Sequence, residues 1–278
     1  MNSTSPGGFH WPAGKRLAVS LSFDVDAEAG WLGEGEAYAR RLTTLSEGRY
    51  GVVRGMPRIL DLLKRLEIDA TFFVPGYTAE QHPQLLPSIL DAGHEVGHHG
   101  YLHLRSDKIS TDEQREEIER GLEALAKGSA PKPAGYRSTS WELTPETLQL
   151  LLENEFDYDS SCMGDDRPYF EEHDNKQILE LPIHWSLDDW PRYGWSIDTG
   201  GNMLDPAELI SSWWAEYESA REEQRHLVLT MHPEVIGRPY RFRALEQLVS
   251  RMHEDGAAWF ARLDRVAEHV RPLLRHGP

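Results

Sequence analysis

Two periodicities alternate along the chain. Short apolar runs at 17–24, 70–74, 134–137, 156–161, 178–183 and 226–232 are rich in β-branched and aromatic residues and read as strands. The residues just before Gly97 and those at 258–261 read the same way, and Pro75-Gly76 stops the second run. Between the runs, apolar residues recur every three or four positions, as Ile59, Leu62, Leu63 and Leu66 do in 57–66. Ser110 to Glu113 has capping-box spacing and opens a helix with Ile118, Leu122 and Leu125 on one face. Thr144-Pro145 and Asp205-Pro206 are further start signals, leading to Leu148, Leu151 and Leu152 and to Trp213, Trp214 and Tyr217. Helices are also expected at 78–92, at 241–253 and from Asp264 onward.

Strand–helix alternation implies a parallel sheet, open or closed into a barrel. No composition break or flexible linker appears, so one domain is expected over 1–278, with an N-terminal extension at 1–14. A Gly-punctuated stretch at 30–55 reads as a long connection, of the kind that serves as a lid, a binding loop or an interface arm.

Charge narrows the partners. Lys plus Arg number 29 against 46 Asp plus Glu, a net charge of -17, which argues against nucleic acid or an anionic membrane surface. No basic segment followed by an apolar run marks a signal peptide, and no stretch is long and apolar enough to span a bilayer. The single Cys162 cannot form an internal disulfide. A cytoplasmic location is the expectation.

The chemistry concentrates in Gly93-His94-Glu95-Val96-Gly97-His98-His99-Gly100-Tyr101-Leu102-His103, where four of the 13 histidines fall. Neutral imidazole is the commonest transition-metal ligand. His94 and His98 share a four-residue spacing, but on a strand they lie about 13 Å apart. His99 and His103 fall beyond the strand, where a turn can aim both rings at one point. A third ligand is available at the end of the first strand, where Asp24, Asp26 and Glu28 alternate. Asp24, Asp26, His99, His103, Arg137 and His232 all fall at or just after strand ends, where chemistry collects in such barrels.

In these residues the chain resembles the polysaccharide deacetylases of the NodB-homology type, carbohydrate esterase family four. The resemblance runs from about residue 18 to the last helix and implies an irregular (β/α) barrel. The family's Thr-Phe-Asp-Asp-Gly motif stands here as Ser22-Phe23-Asp24-Val25-Asp26. Asp24 then matches the catalytic base and Asp26 a metal ligand, displaced by one residue, with Glu28 in reserve. That displacement resembles a branch containing Helicobacter-type peptidoglycan deacetylase, cyclic imide hydrolases and allantoinase-like proteins. Gly97-His98-His99-Gly100-Tyr101-Leu102-His103 matches the second motif, which makes His99 and His103 ligands. His98, in place of the motif's Asn, is either an orienting neighbour of the ligands or a packed core histidine.

Arg137-Ser138-Thr139-Ser140-Trp141 resembles the third motif, with Arg137 pairing with the catalytic Asp, Trp141 a substrate wall and Thr139 in place of Pro. Ser186-Leu187-Asp188-Asp189-Trp190 approaches the fourth, with Trp190 as an apolar wall. His232 matches the general acid, and Pro233 follows it where many members carry Asp.

The resemblance implies hydrolysis of a non-peptide amide C–N bond with one divalent ion, zinc being the expected metal. The substrate implied is an N-acetylglucosamine-type saccharide or, as the alternative, a small cyclic amide. A barrel that binds metal or ligand without turnover is the rival from another class. The branch implies a homo-oligomer, a tetramer.

Overall fold

The computed structural model describes residues 9–276, so residues 1–8 of the expected extension lie outside the described residues. Nine strands make one sheet: β1 (Leu17–Asp24), β2 (Thr71–Val74), β3 (Glu95–His98), β4 (Gly135–Tyr136), β5 (Tyr158–Asp159), β6 (Tyr169–His173), β7 (Lys176–Glu180), β8 (His226–Met231) and β9 (Ala258–Phe260). Their order is β6-β7-β5-β4-β3-β2-β1-β8, with β9 added beside the start of β1, and every pairing is parallel except β6 with β7. The sheet curls into an irregular half-barrel, the architecture that the resemblance implies. An isolated parallel bridge from Asp188 to Thr230 lays the chain that follows β7 against β8.

β1 shows how the sequence builds this shape. All of it is buried, and its alternate residues serve two different environments. Leu17, Val19, Leu21 and Phe23 face the outer helices, in one core with Ile59, Leu62 and Leu63 of Met56–Leu66 and with Leu245, Leu248 and Val249 of Pro239–Asp255. Each such side chain contributes about 1.5–3 kcal/mol through burial.

The intervening Ala18, Ser20, Ser22 and Asp24 face the barrel interior. There Ala18 packs with Phe73, Tyr158, Leu179 and Val228. Ser20 Oγ bonds His226 Nε2 at 2.8 Å and Ser22 Oγ bonds Thr230 Oγ1 at 3.1 Å. A polar column thus climbs β1 towards its C-terminal end. Opposite it, Gly97 is required because a Cβ there would sit 2.5 Å from the Phe73 ring that fills the interior.

Three expectations change. The 30–55 stretch is not an irregular loop: it is largely helical, with Glu28–Leu32, a 3₁₀ turn Glu36–Arg40, Leu42–Tyr50 and a π-turn Gly51–Gly55 running into Met56–Leu66. Gly48 hides this role in the sequence, because its missing side chain lets the helix touch the backbone of Ala27. The helix expected at 78–92 splits into Gly76–Gln81 and Leu85–Leu90, since Pro83 forces His82 out of helical geometry. The β6–β7 hairpin was not foreseen, although its Asp174-Asn175 turn, both at positive φ, is a readable hairpin signal. Among the described residues no helix is long and apolar enough to cross a membrane.

Candidate active site

The C-terminal ends of the strands gather the site. Val25 N still donates to Phe73 O at 2.9 Å, so the strand phase persists past Asp24 and brings Asp26 to the same side. Ala27 then adopts φ 51°, ψ -131°, a conformation rare for a residue with a side chain, and turns the chain away. After β3, Gly100 (φ 69°) and His103 (φ 63°) fold the histidine loop back on itself. Glu117, on the buried side of the helix Thr111–Lys127, gathers that loop: its carboxylate accepts the N–H groups of Tyr101 at 3.0 Å and Leu102 at 2.9 Å.

The result is a convergent donor set. Asp26 Oδ1 lies 3.4 Å from His99 Nε2 and Asp26 Oδ2 lies 3.4 Å from His103 Nε2. His99 Nδ1 donates to the Arg137 carbonyl at 2.7 Å, which leaves the Nε2 lone pair on the side of Asp26, free to bind a cation. Burial alone would raise the Asp26 pKa, but the imidazoles of His103, His99 and His232 overcome it and hold this carboxyl well below the usual range.

Asp26 Oδ1 is buried and has no hydrogen-bond partner among the described residues. A buried oxygen without a donor is costly, and a cation between it and the two imidazoles satisfies all three groups. Two histidines and one carboxylate are a zinc-type set. Asp26, His99 and His103 therefore fit a divalent ion.

Asp24 is held differently. Arg137, wholly buried, donates from Nη1 to Asp24 Oδ1 and to Ser22 Oγ, both at 2.9 Å. Its Nε and Nη2 donate to Ser160 O and Ser160 Oγ at 2.8 and 2.9 Å, and its guanidinium lies 4.3 Å over the Phe73 ring. The Trp141 indole N–H donates to Asp24 Oδ2 at 3.3 Å, from a residue at φ 57° next to Ser140 at φ 52°. Such left-handed residues store about 1–2 kcal/mol each, and here they aim an indole at a carboxylate.

His232 follows β8. Its Nδ1 bonds Asp189 Oδ1 at 2.8 Å with Asp188 Oδ1 at 3.4 Å, while Nε2 points inward, 3.8 Å from Asp26 Oδ2. The partner absent at Pro233 is thus supplied by Asp189, which the Asp188–Thr230 bridge carries to β8. Burial would strip His232 of its proton, but Asp188 and Asp189 push its pKa well above the ordinary value.

Trp141 and Trp190 both line the resulting cavity of about 300 Å³, together with Trp31, Trp185, Trp195 and the acidic and histidine groups. Glu234, also in its lining, was not singled out from the sequence; burial and the nearby Asp26 push its carboxyl pKa well above the ordinary carboxylate range.

Two expected residues lie elsewhere. His98 does not touch the ligands: strand alternation turns it outward, where Nε2 bonds Ile118 O at 3.0 Å and the ring stacks on Tyr136. Gly121 makes room for it, since a Cβ there would lie 2.3 Å from His98 Nε2, and burial drives its pKa down to about 3. His98 is a packed core histidine. Glu28 is engaged by Arg49 and His82 at 2.9 and 2.8 Å and is no reserve ligand.

Asp159, Cys162 and Glu180 also cluster, but burial raises both carboxyls, Glu180 further because Asp159 lies beside it, and the two bond one another. A shared proton accounts for that pair.

Comparison with known proteins gives this constellation its class. The polysaccharide deacetylase profile matches residues 42–158. A Mycobacterium smegmatis protein classed with the polysaccharide deacetylases is 41% identical in a solved structure, with a TM-score of 0.92 over 97% of this chain and 95% of that one. The peptidoglycan deacetylase of Helicobacter pylori is 28% identical over 276 residues, 88% of this chain and 93% of its own. A solved allantoinase, PuuE, has the same fold at 23% identity, with a TM-score of 0.85 over 97% of this chain and 95% of that one. The chain belongs to the polysaccharide deacetylase family, and that membership supports an enzyme that hydrolyses a C–N bond.

Proposed function

We propose that the protein is a divalent-metal-dependent N-deacylase acting on an N-acetylglucosamine-type sugar, with zinc as the ion. The observation that carries this is the convergence of three separately supported groups on one cavity: the Asp26–His99–His103 donors, Asp24 with its guanidinium, and His232 with its carboxylates. Asp26, His99 and His103 hold the ion, which when bound supplies Lewis acidity that polarises an amide carbonyl and acidifies water.

Every other part of the chemistry falls to the chain. Asp24 accepts the proton of the attacking water; Arg137 on Oδ1 and the Trp141 indole on Oδ2 keep it oriented while a lone pair stays open. His232, its proton favoured by its two carboxylates, donates from Nε2 to the departing nitrogen, and Asp189 on Nδ1 holds the ring in that orientation. Trp31, Trp185 and Trp190 exclude water and cover the ring and acyl group.

Hydrolysis of a small cyclic amide is the second possibility, favoured by the modest cavity of about 300 Å³. Acetate release from N-acetylglucosamine oligomers, measured beside ring opening of succinimide or hydantoin and with metal content, tests both. Metal-dependent acetate release is expected. Ring opening without acetate release transfers the assignment to the cyclic amides, and a protein that binds no metal and turns over neither overturns it. A homotetramer and a cytoplasmic location belong to the same proposal, with light scattering and fractionation as their checks.

A further inference from the structure

Two loops form facing walls of the cavity. One follows Glu28–Leu32 and contributes Glu34 and Tyr38; the other follows Trp190–Tyr193 and contributes Trp195, Ser196 and Thr199. The second loop ends in a tight turn. Ser196 N donates to Gly200 O at 3.1 Å, Gly200 N to Ser196 O at 2.8 Å, and the Ser196 and Thr199 hydroxyls meet at 2.7 Å, which presents Asp198 at the tip.

Asp198 Oδ2 accepts from the Tyr38 hydroxyl at 2.8 Å and pairs with the Arg41 guanidinium, which itself lies 4.3 Å over the Tyr38 ring. Arg41 and Asp198 are 36% and 38% exposed and do not line the cavity, so the contact sits on its rim. An ion pair that exposed is weak alone. Here it is joined by a hydroxyl and by a rigid aromatic series: Tyr38 stacks on Trp31 at 6.0 Å, Trp31 meets Trp190 at 5.8 Å, and Trp190 meets His232 at 5.4 Å. Elsewhere on the rim, Trp141 and Trp185 stack at 4.2 Å and join two other segments.

Resting on the N-deacylase reading, we infer that Asp198 is a specificity-determining latch that holds the cavity as a socket for a single amino-sugar residue, free or at a chain end. An internal residue of a polymer must leave a site in both directions, which requires an open groove. Walls tied together at the rim deny it one. The latch touches no reacting group, so its loss should change which substrates enter while leaving the chemistry of a small one intact.

The test compares wild type with Asp198→Ala and Arg41→Gln on N-acetylglucosamine and on a long N-acetylglucosamine oligomer, mapping deacetylated positions by mass spectrometry and separating KM from kcat. In wild type, acetate should come from the monosaccharide and from the oligomer's terminal residue alone. In Asp198→Ala, kcat/KM on the oligomer should rise roughly tenfold, mainly through KM, with internal positions deacetylated, while monosaccharide turnover stays within about twofold. Arg41→Gln, which keeps the Tyr38–Asp198 bond, should fall between, and it carries the test if Asp198→Ala melts early. Internal deacetylation by wild type, or an unchanged positional profile in the variants, overturns the latch while leaving the activity standing. Absence of acetate from every sugar removes the N-deacylase reading, and the latch as written goes with it.

Discussion

The two ends of the barrel carry buried carboxyl groups in opposite circumstances. At the C-terminal end Asp24 meets a guanidinium and Asp26 meets imidazoles, so negative charge is matched by positive charge. At the N-terminal end Glu95 is bonded by hydroxyls and a backbone N–H, and the Arg262 charge that acts on it is already paired with Asp264. Tyr158 Oη bonds its Oε1 at 2.8 Å, Thr71 Oγ1 donates to its Oε2 at 2.7 Å, and the helix Leu263–His276 closes over it through Asp264 N at 3.1 Å. Burial, with Asp264 nearby, pushes the Glu95 pKa up to about 7. Both ends are polar and buried. One is arranged to keep charge available for chemistry; the other seals the barrel with hydrogen bonds and favours a neutral acid.

The largest expected effects lie at the charged end. Asp24→Asn should lower kcat by roughly 10²–10⁴-fold with metal content retained, because it removes the base and keeps the donor set. Loss of metal in that variant would show that Asp24 and Asp26 have exchanged roles. His103→Ala should lose both metal and turnover, and chelation of wild type should abolish activity that added zinc restores; elemental analysis beside the assay reads both.

Arg137→Met should cost about 3–5 kcal/mol of stability in denaturant titration, since Asp24 is left buried without its cation. An unchanged midpoint would mean that Asp24 was never dependent on that pair.

The neutral end should announce itself through pH. The folded state holds the Glu95 proton up to about pH 7, whereas the unfolded chain releases it near the ordinary value of 4.5. Its contribution to stability is therefore complete below pH 4.5 and is lost as pH rises through 7, by on the order of 3 kcal/mol. Glu95→Gln should flatten the fall, and denaturation series at several pH values compare the two. Equal slopes would sink the assignment of a neutral Glu95.

The smallest effect is expected for His98→Asn, about 1–2 kcal/mol of stability through the lost bond to Ile118 O, with metal content unchanged. A drop in metal affinity would instead make it a support of the ligands.

Much of this was legible because local patterns carry it. The period-two alternation of Leu17 to Asp24 specifies a strand with one apolar and one polar face, and the capping boxes at Ser110 and Thr144 form where their spacing predicts. The positions of Asp26, His99 and His103 relative to strand ends follow from the same alternation. His98 could have been assigned by that rule as well: it precedes His99 by one residue on β3 and must face the other way.

Other features had no local signal. Asp189 reaches His232 because two parallel segments meet at Thr230, and Asp198 reaches Arg41 because two loops fold over one cavity. Glu117 binds the histidine loop from a helix that looks merely amphipathic. The sequence alone determined which carboxylates, imidazoles and guanidinium stand at the strand ends, since residue type and strand phase are local properties. Only the tertiary structure decided which of them meet, because a hydrogen bond between distant residues depends on the chain's return path and leaves no periodic trace.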